Sequence, residues 1–323
     1  MSNLLVTGGT GFVGRNCLIR AVQTYDTIFA PVRSEKKLRD QLAAEGLSSA
    51  KIQPLPNDPG SWPKLDIDHA ILSAGVLFAR TRQEYFDTNV DWILKIVQAL
   101  PEHCRTVILS SQSAGGPTPM GVDSRSEAEL DSPITWYGES KLAMEKSIRT
   151  NFPDRAITIL RPPMVLGARD LATLPLFRMG KNPLRIKPGL ETKTFSFIAA
   201  DDLVDAIFTA LTHASAAAGP FYVASPTTIT DRELIMAASN GRPGATVAVP
   251  QMFVKLLSFV VDAIPPLRTQ TPSLTKDRAR EIWANRWVVN GASFEKTYRW
   301  QAHQSLTEAM NAAREFYLRS GLL

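Results

Sequence analysis

Tyr137-Gly138-Glu139-Ser140-Lys141 places a phenol and an ammonium four residues apart. On a helix that spacing brings both groups to one face. A free tyrosine ionises near pH ~10, so moving a proton near neutrality requires stabilising its anion by about 3 pH units, roughly 4 kcal/mol. A neighbouring ammonium and a second positive group can supply that. Upstream, Ser110-Ser111-Gln112-Ser113 follows the expected strand Thr106 to Leu109. A hydroxyl at the carboxyl end of a parallel strand lies where such sheets bind ligands, within reach of Tyr137. Ser111 is the leading choice for holding a carbonyl oxygen, and Ser113 is the alternative. Each feature alone is weak, since YxxxK arises by accident on helices and serines after strands are ordinary turn formers.

Near the start, Thr7-Gly8-Gly9-Thr10-Gly11-Phe12-Val13-Gly14 joins a strand-like run to an amphipathic stretch. Gly8, Gly11 and Gly14 satisfy GxxGxxG, and Gly9, Gly11 and Gly14 satisfy GxGxxG. Glycine serves a tight turn, a close backbone approach to a pyrophosphate, and close helix–strand packing. The free N–H groups of the following helix complete an anion site. About twenty residues past the glycines, dinucleotide sites that prefer NAD usually carry an acid for the ribose 2′-OH. Here the sequence reads Pro31-Val32-Arg33-Ser34, with Lys36 and Lys37 beyond. Arg33 suits a 2′-phosphate through charge-assisted hydrogen bonds, which favours NADP(H) over NAD(H).

These groups need a scaffold. The first half alternates short β-branched runs with amphipathic stretches, the pattern of βαβ units and a parallel sheet. Strands are expected at Leu4 to Val6, Thr27 to Val32, Ala70 to Leu72, Thr106 to Leu109 and Ala156 to Leu160. Helices are expected from Gly11 to Tyr25, after a Ser34 cap, from Val90 to Leu100, and from Thr135 to Arg149. Prolines and glycines between Pro162 and Gly189 predict a loop-rich region. Phe195 to Leu211 and Phe221 to Val223 read as a return to the sheet, and the remainder as mostly helical. The expected fold is therefore α/β, a Rossmann doubly wound parallel sheet with a smaller, mostly helical C-terminal substrate subdomain. Residues 1–162, with a return segment at 195–224, form the dinucleotide-binding part; 163–194 and 225–323 form the substrate part.

Composition excludes several classes. The chain has 323 residues, 44% hydrophobic and 21% charged, an ordinary globular balance. A net charge of +5, from 36 basic and 31 acidic residues, is mild and spread out. It gives no nucleic-acid footprint. Cys17 and Cys104 lie far apart and, with four scattered histidines, make no metal site. The chain starts on a strand-like run rather than a signal peptide, and it lacks the roughly 18 uninterrupted apolar residues of a membrane span. A cytoplasmic, reducing location is the expectation.

Taken together, these motifs resemble the extended short-chain dehydrogenase/reductase family, within the NAD-dependent epimerase/dehydratase superfamily. Thr7-Gly8-x-x-Gly11-Phe12-x-Gly14 looks like its TGxxGFxG, and Ser110-Ser111 with Tyr137-x-x-x-Lys141 looks like its Ser/Tyr/Lys set. Asn57-Asp58 is similar to the acid near the adenine, and Leu72-Ser73-Ala74-Gly75 to the segment passing the cofactor. Thr88-Asn89-Val90 resembles the helix asparagine motif. Leu160 to Gly167, containing Pro163 and Val165, is similar to the LRPxxVYG stretch beside the nicotinamide. Phe195 to Ile198 with Asp201-Asp202-Leu203 resembles sFIHVdDL, although Ala199 replaces the common histidine.

The resemblance implies a homodimer and hydride transfer, with Tyr137 shuttling a proton, Lys141 holding ribose hydroxyls and Ser111 steadying an oxyanion. It names no substrate. Dehydratases usually carry Asp-Glu where Gln112-Ser113 stands, and epimerases often carry asparagine where Pro163-Met164 stands. The pattern is nearest to dihydroflavonol reductases and 3-beta-hydroxysteroid dehydrogenases, which implies a carbonyl/alcohol substrate. A sugar-nucleotide epimerase is the alternative, and a non-catalytic NADP-binding sensor or scaffold the second. Between Gln251 and Ile264, Phe253, Leu256, Leu257, Val260 and Ile264 fall at helical spacing. That stretch reads as a core-facing helix, or as an apolar lid or peripheral membrane contact beside a lipophilic pocket. Trp300 and the run Leu306 to Leu318 read as structural.

Overall fold

In the computed structural model, residues 2–213, 219–250 and 276–323 are described. The first strands are β1 (Asn3–Thr7), β2 (Thr27–Pro31), β3 (Ile52–Leu55), β4 (His69–Leu72), β5 (Arg105–Leu109) and β6 (Ile157–Arg161). They continue with β7 (Met164–Leu166), β8 (Leu184–Pro188), β9 (Thr194–Ala199) and β10 (Phe221–Tyr222). The last are β11 (Thr228–Thr230), β12 (Ala245–Val249) and β13 (Arg286–Trp287). A seven-stranded sheet runs in the order β10-β6-β5-β4-β1-β2-β3, with every pairing parallel. The strand order reverses between β1 and β4, so a ligand crevice opens at their carboxyl ends.

The connecting helices are α1 (Phe12–Thr24), α2 (Glu35–Ala44), α3 (Arg82–Phe86), α4 (Trp92–Ala99), α5 (Gln112–Gly115) and α6 (Trp136–Asn151). Then come α7 (Leu174–Gly180), α8 (Ala200–Thr212) and α9 (Asp231–Ser239), with later helices at Lys276–Trp283, Ala292–Tyr298 and Leu306–Arg319. Successive strand residues point to opposite faces, so Leu4 and Val6 join one core while Leu5 joins the other. The first core packs Leu18 of α1 and Leu203, Ile207 and Leu211 of α8 on the sheet. The second packs Ile93, Ile96 and Val97 of α4 and Met144 and Ile148 of α6 on the other face. Each such fully buried aliphatic side chain contributes about 1.5–3 kcal/mol. The sheet order, both layers and the helix carrying Tyr137 and Lys141 agree with the Rossmann expectation.

Several expectations fail locally. Phe195 to Leu211 does not rejoin the central sheet. Its first part is β9, which pairs with β7, β11 and β13 in a separate sheet. Its second part is α8, whose Leu203, Val204, Ile207, Phe208 and Leu211 recur at helical spacing and are buried. Only Phe221-Tyr222 of that return adds a strand, beside β6. The loop-rich stretch 162–189 contains β7, α7 and β8, and the region beyond residue 225 contains three short strands as well as helices. Leu166, Phe177, Phe197, Ile229, Met310 and Tyr317 form a third core there. Gln251 to Ile264 lies outside the described residues. Among the described residues, no helix is long and apolar enough to cross a membrane.

Candidate active site

β1 ends at Thr7, and the chain turns through Gly8 at φ +72°, a backbone region that favours glycine. The Gly11 N–H donates to the Gly8 carbonyl at 2.7 Å and closes the turn. A Cβ on Gly14 would lie 2.3 Å from that same carbonyl oxygen, so only glycine lets α1 pack this close. Gly11 is the N-cap and supplies no side-chain capping bond. The leading amides of α1 are therefore not taken by a capping side chain. Thr10, Gly11, Phe12 and Val13 line a cleft of about 610 Å³ that opens here.

The end of β4 forms the adjacent wall. Ser73 Oγ donates to the Thr7 carbonyl at 2.7 Å, and the Ala74 N–H donates to Thr7 Oγ1 at 3.1 Å. Gly75 lines the cleft, and a Cβ on it would fall 3.0 Å from Asn89 Oδ1 and 3.2 Å from Lys141 Nζ. Asn89, fully buried, accepts from the Val76 N–H at 2.8 Å and donates to Ser140 Oγ at 3.0 Å. It thereby joins the β4 loop to α6.

Ser111 follows β5 and caps α5, its Oγ accepting from the Ser113 N–H at 3.1 Å. Thr135 caps α6 in the same way, accepting from the Gly138 N–H at 3.2 Å. The Tyr137 ring lies 6.3 Å from that of Tyr85, tilted by 58°. Lys141 is buried, and its Nζ donates to the Leu109 carbonyl at 2.8 Å. Burial pushes its ammonium down to about 8, against an upward pull from Glu145. Ser111, Ser113, Tyr137, Lys141, Pro163 and Val165 all line the same cleft as the glycine turn.

Beneath them runs a buried ion network. Arg161 at the end of β6 donates to Glu145 of α6 at 2.9 and 2.6 Å, and to Asp131 at 2.7 and 2.9 Å. Ser110 Oγ also donates to Glu145. The ends of β5 and β6 are thus tied to the helix bearing Tyr137 and Lys141.

Gly8, Gly14 and Ala74 frame the turn rather than line the cleft. Arg33, just past β2, and Asp58, just past β3, are exposed and lie outside the cleft wall. Asp58 accepts from the Gly60 N–H at 3.3 Å and caps a short 3-10 turn.

Residues that sequence reasoning did not single out also line the cleft, among them Arg15, Gln41, Arg169, Asp170 and Phe316. Arg169 adopts φ +75° and donates twice to Glu45, at 2.8 and 2.7 Å, while Arg15 donates to the same carboxylate at 2.6 Å. Burial pushes the Asp170 carboxyl up, opposed by bonds from Thr173 and Ala172. A readable signal existed only for Arg15, directly after Gly14, and for Arg169-Asp170, directly after the Leu166-Gly167-Ala168 turn. Phe316 belongs to the helix read as purely structural.

A second cavity, of about 340 Å³, shares Gln112, Ser113, Met164 and Glu281 with the cleft. Its walls are largely apolar, with Leu176, Met179, Ile186, Phe195, Leu234 and Trp287. The cleft and this chamber together offer a groove for an extended anionic ligand, a hydroxyl–phenol–ammonium set, and an apolar recess beside it.

Residues 4–224 match the model of the NAD dependent epimerase/dehydratase family. A Sinorhizobium fredii protein, y4nL, is 27% identical over 171 residues, covering 50% of this chain; the match spans only 47% of that protein's length. Solved structures that share the fold include three sugar-nucleotide enzymes. UDP-glucuronic acid 4-epimerase from Bacillus cereus, in complex with NAD, has a TM-score of 0.74 at 17% identity, covering 99% of this chain and 100% of that one. UDP-glucose 4-epimerase from Thermotoga maritima, with UDP-glucose, gives 0.76 at 16%, covering 98% and 99%. dTDP-glucose 4,6-dehydratase from Bacillus anthracis, in complex with NAD, gives 0.73 at 14%, covering 99% and 97%.

Proposed function

The chain belongs to the NAD dependent epimerase/dehydratase family, and we propose that it is an NADP(H)-dependent oxidoreductase interconverting a carbonyl and a secondary alcohol. The observation that carries this reading is the convergence of Ser111, Tyr137 and Lys141 on the cleft lined by Gly11, Phe12 and Gly75. The residues fit a nicotinamide dinucleotide, because the turn is shaped so that a Cβ at Gly14 would collide with backbone and α1 has no side-chain cap. When bound, that group would supply the hydride donor or acceptor.

Gly11, Phe12 and Val13 would hold the diphosphate with backbone amides and the positive end of α1. Arg33 would hold a 2′-phosphate and Asp58 the adenine end, while Pro163 and Val165, on the cleft wall, would border the route between the phosphates and the reacting carbon, with Ala74 supporting the glycine turn behind it. Lys141 keeps an ammonium one helical turn from Tyr137 and would bind ribose hydroxyls. Tyr137 Oη gives a proton to the substrate oxygen in reduction and takes it back in oxidation. Ser111 Oγ donates to that oxygen as negative charge develops on it. We extend the reading to a homodimer paired through α6, a cytoplasmic location, and a division in which 163–194 and 225–323 enclose the substrate.

The substrate is a small neutral molecule with an apolar body, because the recess beside Ser111 has largely apolar walls. Its lysine among the lining residues, Lys193, already donates to the Ile282 carbonyl and sits 4.9 Å over the Trp283 ring. A second reading, a sugar-nucleotide epimerase, uses the same hydride chemistry and is favoured by the UDP-sugar enzymes that share the fold. One screen separates them. NADPH oxidation is followed with aliphatic, aromatic and steroidal ketones, and UDP-sugars are assayed for epimerisation without added reductant. Turnover of ketones alone supports the first reading; epimerisation alone replaces it with the second. Silence in both arms with intact NADPH binding leaves a sensor.

A further inference from the structure

Asp231 opens α9 on the wall of the apolar chamber and is not among the residues that the chamber shares with the cleft. Its side chain is 8% exposed, and Oδ2 accepts from Lys187 Nζ at 2.6 Å. Lys187, still more buried, also donates to the Glu191 carbonyl at 2.7 Å. Asp231 Oδ1, by contrast, is buried with no hydrogen-bond partner among the described residues. A buried carboxylate oxygen without a donor is costly, and sites retain such groups where a ligand completes them. Asp231 lines a chamber whose other walls, among the described residues, are chiefly Leu, Ile, Met and aromatic side chains.

We propose that Asp231 Oδ1 is the acceptor for a hydroxyl at the distal end of the substrate, so that the preferred substrate is an apolar-bodied hydroxy ketone or diol. The inference rests on the carbonyl/alcohol reading for what lies at the other end, beside Ser111 and Tyr137. Charge selects the kind of donor. Among the described residues, the ionisable groups on or behind the chamber wall are Asp231, Glu281, Lys187 and Lys193, and their formal charges cancel. An ammonium would unbalance that set, and a phosphate would meet the Asp231 carboxylate. A neutral hydroxyl satisfies Oδ1 and adds no charge. A site built around a substrate hydroxyl rejects the analogue lacking it far more strongly than an apolar wall rejects an extra group.

The test uses three ketones of one skeleton: 6-hydroxy-1-tetralone, 6-methoxy-1-tetralone and 1-tetralone. Each is titrated calorimetrically into the full chain saturated with NADP+, so that no reduction occurs. The hydroxy ketone should bind at least about tenfold tighter than the other two. In Asp231→Leu/Lys187→Met, which removes both ends of the buried pair and leaves no lone charge, the three affinities should converge. Equal affinities in the wild type, absence of binding by all three, or a hydroxyl preference that survives the double substitution would each overturn the proposal. If the double variant does not fold, the hydroxy/methoxy ratio in the wild type decides. Failure of the reaction reading has its own signature, which is selective binding of the hydroxy ketone without NADPH-driven reduction.

Discussion

Lys141 Nζ donates to the Leu109 carbonyl at 2.8 Å, so the ammonium on α6 is fastened to the strand that ends one residue before Ser110 and Ser111. Burial lowers its folded-state pKa to about 8, below the ordinary 10.5. Between those values the unfolded chain binds the proton and the folded chain does not, so folding becomes more favourable as pH rises through that window. Below about 8 the desolvation cost is fully present; above 10.5 it is gone. The wild type should therefore gain stability relative to Lys141→Met from pH 8 to 10.5, by at most about 1.4 kcal/mol per pH unit. Urea denaturation of both proteins across that range checks the slope, and a flat or falling difference would refute it.

Tyr137→Phe removes one oxygen from a ring that already packs against Tyr85. With the general acid/base gone, kcat should fall by roughly 10²–10⁴-fold. NADPH affinity should stay within a few-fold, since the glycine turn is untouched. Fluorescence titration of NADPH beside turnover measurements separates the two effects. Equal turnover by both proteins would remove the phenol from the mechanism.

Gly14→Ala asks for a Cβ 2.3 Å from the Gly8 carbonyl oxygen, a backbone atom that cannot swing aside. The turn and the first turn of α1 must separate, at a cost of about 1–3 kcal/mol in stability. Dinucleotide binding should weaken at least about tenfold with it, because the amides that face the phosphates move too. Thermal denaturation and NADPH titration read the two losses. Gly46→Ala, at a glycine whose added Cβ meets nothing within 4 Å but whose φ is +69°, is the comparison: backbone strain alone should lower its stability by about 1 kcal/mol and leave dinucleotide binding intact.

Those residues were legible because the chemistry that needs them is local in the chain: three glycines within one turn, two side chains one helical turn apart, a serine at a strand end. The strands of the sheet were readable for a similar reason, since Leu4 to Val6 is a continuous apolar run and Ile157 to Leu160 is interrupted only by Thr158, all of them buried. Elsewhere tertiary context decided. Thr194–Ala199 has the same strand character whether it joins the central sheet or a separate one, and only its pairing with β7 and β11 tells them apart. Arg169 reaches the cleft through Glu45, 124 residues away, and Phe316 through a helix whose apolar stripe reads as core. Asp231 reads as an ordinary first-turn acid; the chamber in front of it is assembled from α7, β8, β9 and the segment at 281–287.

Arg161→Met tests the network under the site. Arg161 is fully buried and bonded to both Glu145 and Asp131, while Glu145 is fully buried as well. Removing the guanidinium leaves the Glu145 carboxylate in the interior with Ser110 Oγ for company, so stability should fall by about 3–5 kcal/mol. The double variant Arg161→Met/Glu145→Leu should recover most of that loss, because no lone charge remains.

Arg33 sits exposed just past β2, and the proposed function has it hold the 2′-phosphate that distinguishes NADPH from NADH. A charge-assisted bond to a phosphate contributes about 1.5–3 kcal/mol, so Arg33→Ala should weaken NADPH binding by roughly 10- to 150-fold. NADH, which lacks the phosphate, should be nearly unaffected, and Arg33→Asp should invert the preference by offering an acceptor to the free 2′-hydroxyl. Because the bond lies near solvent, the NADPH advantage of the wild type should also shrink as salt rises. Parallel titrations of NADPH and NADH at low and high ionic strength measure all of this. Equal or tighter binding of NADH by the wild type would overturn the assignment of Arg33 and, with it, the preference for the phosphorylated cofactor.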